Sequence, residues 1–430
     1  MTNRKQKASQ SVKGMHDILP EDQPYWNFIL KKGKTLLEDY GFGRIDTPIV
    51  EYSDIFLRTL GEGTDIIDKE IYRFKTKGGD DVSLRPEFTA SIARAYIEHG
   101  MQNLPQPVKL YTFGPVFRHD QPQAGRYRQF HNLDAEIIGD DSAATDAELI
   151  FILYRLFEYL GFKELTVKIN NIGDKLCRPE YVKALKDYYR NKVKKLCPVC
   201  QNRFKTNILR VLDCAEANCK EIIQGAPQIL DFLDENCKHH LKLVLEFLDE
   251  INVPYILDPY LVRGLDYYTR TVFEVWTEES SETQLQLASG GRYDRLIEQL
   301  GGHKTPASGW GLGVDRVVLM MKQLNLPVDE KQIKPKVFLA QLGDLGKKKS
   351  LLLFEEFRKA GIPIHATVGR DSIKSQLRIA GKLGVRFTLI MGQKEALEKM
   401  VILRDMESSV QETVPLEVIV QEVKKRLREK

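Results

Sequence analysis

Two strand-forming segments enclose a turn-rich loop, and this arrangement constrains the fold more than any other feature of the chain. Residues 108–120 (VKLYTFGPVFRHD) and 126–140 (RYRQFHNLDAEIIGD) favour strands, and the loop from Gln121 to Gly125 lies between them. Strands on either side of a short turn-rich loop predict an antiparallel hairpin. On the second strand polar and apolar residues alternate from Asn132 to Ile137, which is typical of a sheet with one solvated face.

The segments around this hairpin mix helical and strand patterns. Apolar residues recur at helical spacing from Pro24 to Tyr40, and a second helix is predicted from Asp146 to Leu160. Residues 44–52 (RIDTPIVEY) are expected to form one strand interrupted by Pro48. After a polar stretch, β-rich patterns are expected to resume from about Leu241.

The chain from Lys334 onward has a different organisation. Strand-like and helical segments alternate as β, α, β, α, β from Val337 to Met391, which predicts a small α/β domain with a largely parallel sheet. This part carries 20 Lys and Arg against 12 Asp and Glu, whereas the first 333 residues carry 44 and 48. A basic domain suits a polyanionic partner, and a solvated charged surface is the alternative.

The chain lacks the patterns of membrane and secreted proteins. No run of about 18 apolar residues occurs, and the N-terminal MTNRKQKASQSVKGMHD has no apolar stretch. With 42% hydrophobic and 29% charged residues, the composition is that of a folded chain. We therefore expect a cytoplasmic protein without membrane association.

Six cysteines lie in a polar, lysine-rich stretch, residues 171 to about 240, that has the character of an inserted module. Four thiolates that begin with a Cys-x2-Cys pair favour tetrahedral zinc over disulfides in a cytoplasmic chain, and reduced buried cysteines are the alternative. The module carries nine Lys and Arg against one Asp between Lys183 and Arg210, which suits an RNA-facing surface. The four clustered cysteines are Cys197, Cys200, Cys214 and Cys219.

Arginines at three places have the chemistry to bind phosphate. Arg118 ends the first hairpin strand and Arg126 follows the loop, although structural ion pairs would explain them equally well. The second place is residues 260–276 (YLVRGLDYYTRTVFEVW), interpreted as a strand. The side chains of Asp266, Tyr268 and Arg270 are expected to project from the same face of this strand. Surface hairpins also use such residues, so a structural role stays open there.

The third place is Gly309-Trp-Gly-Leu-Gly-Val-Asp-Arg316, just before an apolar helix. Its glycines allow another group to approach the backbone closely. The segment is not a dinucleotide fingerprint, because Val314 or Arg316 stands where that pattern needs a further glycine. No Ser-His-Asp or Cys-His arrangement is apparent, so nucleophilic catalysis is disfavoured.

Five segments together resemble class II aminoacyl-tRNA synthetases in their histidyl form. GFGRIDTP (41–48) is similar to motif 1, and YTFGPVFRHD (111–120) with GRYRQFH (125–131) is similar to motif 2. GLGVDR (311–316) is similar to motif 3, while LVRGLDYYTR (261–270) and SGGRYD (289–294) resemble the two histidyl-specific segments. The resemblance extends from about residue 12 to the end, with the motifs in the expected order.

The resemblance implies an α+β fold. A class II catalytic domain with an antiparallel sheet is expected in residues 1–170 and 241–326, interrupted by the inserted helical module at 171–240. A C-terminal α/β anticodon-binding domain is expected in 334–430. The implied partners are histidine tRNA, L-histidine, ATP with Mg²⁺, and a second copy of the chain in a homodimer.

The resemblance also implies the roles of individual residues. Arg118, Arg126 and Arg316 are expected to hold ATP, and Arg263, Arg118 and Arg316 to act in catalysis, with Arg263 near the α-phosphate. The histidine pocket is expected to contain Glu87, Thr89, Asn132, Glu136, Arg263, Tyr267, Tyr268 and Tyr293.

Three positions depart from the usual bacterial pattern. Phe88 replaces a glycine, Asp120 replaces a glutamate in motif 2, and Asn132 replaces a glutamine. We expect them to alter local contacts and not the reaction. Two alternatives to a synthetase are a non-enzymatic regulatory relative that senses histidine and an RNA-binding protein that has lost catalysis.

Overall fold

A large sheet built around the predicted hairpin organises the first unit of the protein, Met1–Glu330, and a second unit comprises Lys331–Lys430. The computed structural model describes residues 9–61, 64, 66–121, 125–277, 285–329, 334–367, 369 and 372–428. The boundary between the units falls within residues 323–336 (QLNLPVDEKQIKPK), a polar stretch whose composition is typical of a linker. None of the helices in these described ranges is both long and apolar enough to span a membrane.

The first unit combines strands and helices in mixed order. Its strands are β1 (Gly43–Arg44), β2 (Val50–Tyr52), β3 (Arg73–Lys75), β4 (Asp81–Leu84), β5 (Val108–Phe117), β6 (Gln129–Ile138), β7 (Leu165–Asn171), β8 (Tyr255–Leu257), β9 (Thr269–Thr277), β10 (Leu285–Arg292) and β11 (Ala307–Gly313). Its α-helices are α1 (Gln23–Asp39), α2 (Ser53–Thr59), α3 (Thr89–Glu98), α4 (Ala143–Tyr159), α5 (Arg178–Tyr189), α6 (Pro198–Thr206), α7 (Ala217–Ile223), α8 (Glu235–Glu250), α9 (Leu296–Gln299) and α10 (Val314–Gln323). Shorter helical turns are Ile66–Glu70, Met101–Asn103, Val193–Lys195, Ile208–Asp213 and Ile229–Phe232.

The main sheet has eight strands in the order β1-β5-β6-β11-β10-β9-β7-β8. The six strands from β5 to β7 are antiparallel to their neighbours, and β1 and β8 add parallel edges. This is the antiparallel catalytic sheet that the resemblance implied, and the predicted hairpin is β5 and β6. The helices predicted from Pro24 and from Asp146 are also present, as α1 and α4.

Two expectations about strands were wrong. Residues 44–52 form two short strands in different sheets, because β1 pairs with β5 while β2 pairs with β4 in a three-stranded sheet β2-β4-β3. The alternation on β6 does not mark a solvated face. Leu133 packs into a large apolar cluster on one side, while Asp134 and Glu136 on the other side are buried as well.

The expected β-rich stretch from Leu241 also differs. Leu241 lies within α8, and the strand that was to carry Asp266 and Tyr268 begins only at Thr269. Arg270 has a positive φ of 50°, which interrupts the regular alternation of side chains at the start of β9. Asp266, Tyr268 and Arg270 therefore do not form one strand face, and each has different partners.

The inserted stretch is helical, as predicted, and packs directly against other elements of the first unit. Tyr181 and Leu185 of α5, Cys200 of α6 and Val211 belong to the same buried cluster as Tyr268. Burial of this shared apolar surface holds the insertion against the sheet.

The second unit is an α/β domain. It contains β12 (Val337–Gln341), α11 (Gly343–Lys359), β13 (Ile364–Ala366), α12 (Ile373–Leu383), β14 (Phe387–Met391), α13 (Gln393–Glu398), β15 (Met400–Asp405), β16 (Gln411–Pro415) and α14 (Leu416–Arg426). The sheet order is β13-β12-β14-β15-β16. The first three strands are parallel, as predicted, and β15 and β16 add an antiparallel edge.

Candidate active site

A buried carboxylate on an interior strand of the main sheet anchors the site. Glu136 on β6 accepts a hydrogen bond from the Thr89 hydroxyl at 2.7 Å through Oε1, and another from the Tyr293 hydroxyl through Oε2. Glu87, just before α3, accepts the backbone N–H groups of Thr89 at 2.7 Å and Ala90 at 3.0 Å. Because Glu87 caps α3, the position of Thr89 over Glu136 depends on it.

Three carboxyl groups share this buried site, and each has an altered pKa. Burial raises the pKa of Glu87, although the N–H groups at the start of α3 and the charge of Arg118 oppose the shift. Burial raises the pKa of Asp134 well above its usual value, and the charge of Glu87 adds to it. Burial also raises the pKa of Glu136 strongly, with Asp134 adding to it. A cationic ligand would relieve this unfavourable concentration of negative charge.

The glycines of β11 make room for these acids. Gly309 lies opposite Glu136 and Gly311 opposite Asp134 in the antiparallel register. A Cβ at Gly309 would collide with Glu136 Oε2, and one at Gly311 would lie 2.9 Å from Asp134 Oδ1. The glycine pattern predicted that another group approaches the backbone closely. The groups that do so are the acidic side chains of the neighbouring strand β6.

Tyrosine rings form one wall of the site. The ring centroids of Tyr267 and Tyr268 are 4.6 Å apart, and those of Tyr267 and Tyr293 are 5.6 Å apart in an edge-on arrangement. All three residues are buried. Burial raises the pKa of Tyr267 and Tyr293 far above the usual phenol value, so their hydroxyl groups stay protonated and serve as hydrogen-bond donors.

Arg263 is held beside this wall by two neighbours to which the sequence assigned no role. Its guanidinium pairs with Glu274 on β9 and donates to the Ser289 hydroxyl on β10, and it lies 5.8 Å from the Tyr268 ring centroid. Burial opposes its charge, but Glu274, together with Tyr268, Asp213 and Tyr267, outweighs this effect and leaves the pKa of Arg263 raised. The group is thus a fixed cation.

The arginines expected to hold ATP occupy two places. Arg118 Nε donates to the Pro86 carbonyl at 2.9 Å, beside the Glu87 cap. Arg316 donates to the Gln286 carbonyl at 2.9 Å, and its Cγ lies 3.8 Å from where a Gly125 Cβ would be. Burial and, after it, the charge of Arg126 lower the pKa of Arg316. Two neighbouring guanidiniums favour an anion between them.

The insertion contributes to the surroundings of the site. Asn207 Nδ2 donates to Asp266 Oδ1 at 2.6 Å, directly before the two tyrosines. Asp213 is solvent-exposed, but the protein around it raises the pKa of its carboxyl, while the charge of Arg263, followed by that of Arg210, opposes the shift. Asp213 therefore lies within electrostatic reach of Arg263. No local pattern could have identified this residue, because its position depends on how the insertion packs.

The three departures from the family pattern have visible surroundings. Phe88 is fully buried, with its ring centroid 4.3 Å from the Arg85 guanidinium, which is a cation–π arrangement. Asp120 pairs with Arg126 at 3.4 Å. Asn132 lies opposite Gly313, and its Nδ2 is 3.4 Å from the Cβ position of Gly311, so it belongs to the same buried face as Asp134.

The four clustered cysteines come together away from these groups, within the insertion. Their sulfur atoms all lie within 4.8 Å of one another, and the sulfur atoms of Cys197 and Cys214 are 3.8 Å apart. Cys197 Sγ also accepts the backbone N–H of Cys200 at 3.4 Å. All four thiols are free, and a tetrahedral metal ion requires such a grouping.

Comparison with known proteins is consistent across the chain. A family model described as histidyl-tRNA synthetase matches residues 14–317, and one described as anticodon binding domain matches residues 336–426. A histidine–tRNA ligase of Dehalococcoides mccartyi is 44% identical over 97% of this chain and 100% of its own length. A histidine–tRNA ligase of Caldicellulosiruptor saccharolyticus is 42% identical over 97% of this chain and 99% of its own. The solved structure of apo S. aureus histidyl-tRNA synthetase has a TM-score of 0.77 and 34% identity, covering 97% of this chain and 100% of that one.

Proposed function

Since the chain belongs to the histidyl-tRNA synthetase family and is a histidine–tRNA ligase, we propose how its residues share the work of that enzyme. The reaction activates L-histidine with ATP to histidyl-adenylate and then transfers the histidyl group to the 3′ end of histidine tRNA. Pyrophosphate and AMP are released. The proposal rests on one observation above all, the closed contact of Thr89, Glu136 and Tyr293.

In this proposal the buried carboxylates and tyrosines form the histidine pocket. Glu87 and Glu136 accept hydrogen bonds from the ammonium or the imidazole of the substrate, and Tyr267, Tyr268 and Tyr293 serve its ring nitrogens. Thr89 and Asn132 complete the floor. A site that hydrogen-bonds both ends of its ligand discriminates against isosteres, by about 10⁴ or more.

Arg263 is proposed to stabilise the transition state of activation. The histidine carboxylate attacks the α-phosphorus in line, forming a new P–O bond while the bond to pyrophosphate breaks, and negative charge grows on the phosphate oxygens. Arg263 is a cation fixed by Glu274 and Ser289 beside the tyrosine wall, so it can meet this charge without reorganising. It is the first residue to test.

Arg118, Arg126 and Arg316 are proposed to bind ATP. The approach of Arg126 and Arg316 suits the phosphate chain, whose negative charge would offset the repulsion between the two guanidiniums. Arg118 would reach the same ligand from the Pro86 side. Mg²⁺ would enter with the substrate, bound to the phosphate oxygens of ATP.

We further propose the arrangement of larger parts. Residues 1–170 and 241–326 form the catalytic domain, 171–240 the insertion, and 334–430 the domain that reads the anticodon. Ile49, Val50 and Tyr52 of the motif 1 region are exposed, and such apolar exposure favours a homodimer through this surface. We place the enzyme in the cytoplasm, with its tRNA.

Zinc is proposed for the cysteines at 197, 200, 214 and 219. Four thiolates meet the ligand preference of structural Zn²⁺, and their sulfur atoms are already gathered. The ion would hold α6, α7 and the helical turn Ile208–Asp213 together, and with them Asp213 near Arg263. Stoichiometric zinc in purified protein would support the site, and metal-free protein that chelators leave unchanged would contradict it.

Histidine-dependent ATP–pyrophosphate exchange tests the proposed function, and charging of histidine tRNA tests the second step. We expect both activities in the wild type, and loss of exchange in Glu136→Gln. Folded protein without exchange would instead support a histidine-sensing or RNA-binding relative. Exchange without charging would indicate an isolated activating enzyme.

A further inference from the structure

A second group of potential metal ligands lies at the base of the insertion. Asp174, Cys177, Asp234 and Cys237 each offer one ligand atom, and these atoms all lie within 4.8 Å of one another. The four residues form two Asp-x2-Cys pairs, one where the chain enters the insertion and one where it leaves. Two residues between ligands is also the spacing of the Cys-x2-Cys pair at 197–200.

The sulfur positions fit a shared metal ion. The sulfur atoms of Cys177 and Cys237 are 3.8 Å apart, and both residues are buried. Zn–S bonds of about 2.3 Å at a tetrahedral angle place two sulfurs about 3.8 Å apart. The same separation occurs between Cys197 and Cys214. A disulfide would need about 2.05 Å, and both thiols are free.

The carboxylates leave oxygens available for the ion. Asp174 Oδ1 accepts the backbone N–H of Leu176 at 2.8 Å, and Asp234 Oδ1 accepts that of Cys237 at 2.7 Å. These bonds orient the acids and use only one oxygen of each. Asp234 Oδ2 is buried without a hydrogen-bond partner among the described residues. A buried carboxylate oxygen in this condition is costly unless an ion or a donor meets it.

Nearby cations balance the charge of such a site. Two thiolates and two carboxylates around a divalent ion carry a net charge of −2. Arg270 Nη2 lies 3.8 Å from Asp174 Oδ2, and Arg178 is within electrostatic reach of Cys177, Asp174 and Cys237. Two guanidiniums therefore offset the residual charge.

We propose that Asp174, Cys177, Asp234 and Cys237 bind one zinc-class divalent ion, distinct from the four-cysteine site. The ion would join the end of β7 and the start of α5 to the start of α8, closing both ends of the insertion at one point. Arg178, next to Cys177 in sequence, donates to the Tyr268 carbonyl at 2.7 Å. The bound ion would therefore also stabilise, through Arg178, the backbone that carries Tyr268 of the tyrosine wall.

Metal analysis of the full-length protein, purified under reducing conditions, tests the site. We expect two zinc ions per chain in the wild type, one in Cys177→Ser/Cys237→Ser, and one in Cys197→Ser/Cys200→Ser. One ion in the wild type that only the second variant loses would overturn the proposal. Loss of zinc only in Cys177→Ser/Cys237→Ser would support the proposed site and contradict the four-cysteine site. The experiment therefore tests the two proposed sites independently.

Asp234→Asn keeps the test decisive if the double variant does not fold. Asparagine still caps a helix, but it is a weaker metal ligand than a carboxylate. We expect this variant to lose about tenfold or more in zinc affinity in a chelator competition, while Glu235→Gln, altered at the exposed neighbour, retains it. Equal affinity in both variants, or two thiols missing from a titration of the wild type because Cys177 and Cys237 are oxidised, would refute the site.

Discussion

Thr89 Oγ1 donates a hydrogen bond to Glu136 Oε1 at 2.7 Å, which joins the first residue of α3 to the interior strand β6. Tyr293 donates to the other oxygen of the same carboxylate. Glu136 is therefore fixed from two sides, while its remaining interactions are left for a ligand. Its burial next to Asp134 raises its pKa, and this couples substrate binding to the release of protons.

The first prediction concerns that linkage. Burial raises the pKa values of Glu87, Asp134 and Glu136. In the free enzyme these groups therefore keep their protons at pH values above the range in which carboxyl groups ordinarily ionise. A cationic ligand favours their ionised forms, so histidine binding should release protons, and affinity should rise as pH increases through the raised pKa values. Calorimetry in buffers of different ionisation enthalpy measures the release. Glu136→Gln should reduce it and the exposed Glu298→Gln should not; equal release in both would contradict the assignment.

The same groups affect stability in the opposite sense to ordinary carboxylates. Because their folded pKa values lie above the unfolded ones, their contribution to the free energy of unfolding is fully present at low pH. It is lost as pH rises through the raised values. Saturating histidine should restore part of this loss, visible as a larger shift of the thermal midpoint at neutral pH than at pH near the unfolded carboxyl pKa.

The second prediction separates rate from binding. Arg263→Lys keeps a charge but loses the planar fork that spans Glu274 and Ser289. We expect the rate of histidine activation to fall by about 10² to 10³, with a much smaller change in the KM for histidine. Arg295→Lys, at an exposed ion pair with Glu298, is the matched control. A rate equal to that of the control would remove Arg263 from the mechanism.

The third prediction uses the register between β11 and β6. Gly309→Ala would drive a methyl group into Glu136 Oε2, whereas the nearest side-chain atom to a Cβ at Gly313 is Asn132 Oδ1 at 4.0 Å. Displacing Glu136 should raise the KM for histidine at least about tenfold, because a buried polar contact is lost. Gly313→Ala should raise it far less. Steady-state exchange kinetics of the two variants decide the matter.

The parts of the fold that the sequence predicted are those governed by local pattern. The hairpin of β5 and β6, the helix α1 and the alternating strands and helices after Val337 follow from periodicity and turn residues. The strand assigned to Asp266 and Tyr268 failed, because its residues pack against the insertion and the tyrosine wall instead of pairing in the sheet. Tertiary packing overrode an apparent β pattern there.

The site was predictable only where motif residues carry it. Tyr293 lies in a quoted segment, Glu136 lies on the predicted hairpin, and Glu87 was expected from the resemblance; the structure brings the three near one another. Glu274 looked like an ordinary strand residue, and Ser289 had no expected role although it begins the SGGRYD segment. Their contact with Arg263 appears only when β9 and β10 are paired. Asp213 depends in the same way on the docking of the insertion. Partners from distant segments leave no local signal in one sequence.

The last prediction concerns Asp146, which ties α4 to the main sheet. Its oxygens accept from Arg292 at 2.7 Å and meet His240 Nε2 at 2.8 Å, and all of these groups are buried. Burial opposes its charge, but Arg292 and His240 outweigh this and lower the pKa of Asp146. Its stabilising effect is thus present above the unfolded carboxyl pKa and is lost as pH falls through the lowered value.

Asp146→Asn at neutral pH should remove the fully buried carboxylate that pairs with Arg292 at 2.7 Å, leaving the less buried Asp294 at 3.1 Å as its counter-charge. We expect a loss of about 3–5 kcal/mol from the free energy of unfolding, whereas Glu158→Gln, which breaks a partly exposed pair with Arg155, should cost about 1 kcal/mol or less. Urea unfolding of the two variants and the wild type measures the difference. Arg292 is followed in the sequence by Tyr293, a residue of the proposed histidine pocket. Asp146→Asn should therefore also weaken histidine binding at urea concentrations near the unfolding midpoint of the variant. A midpoint no lower than that of Glu158→Gln would show that the buried charge is compensated by other groups.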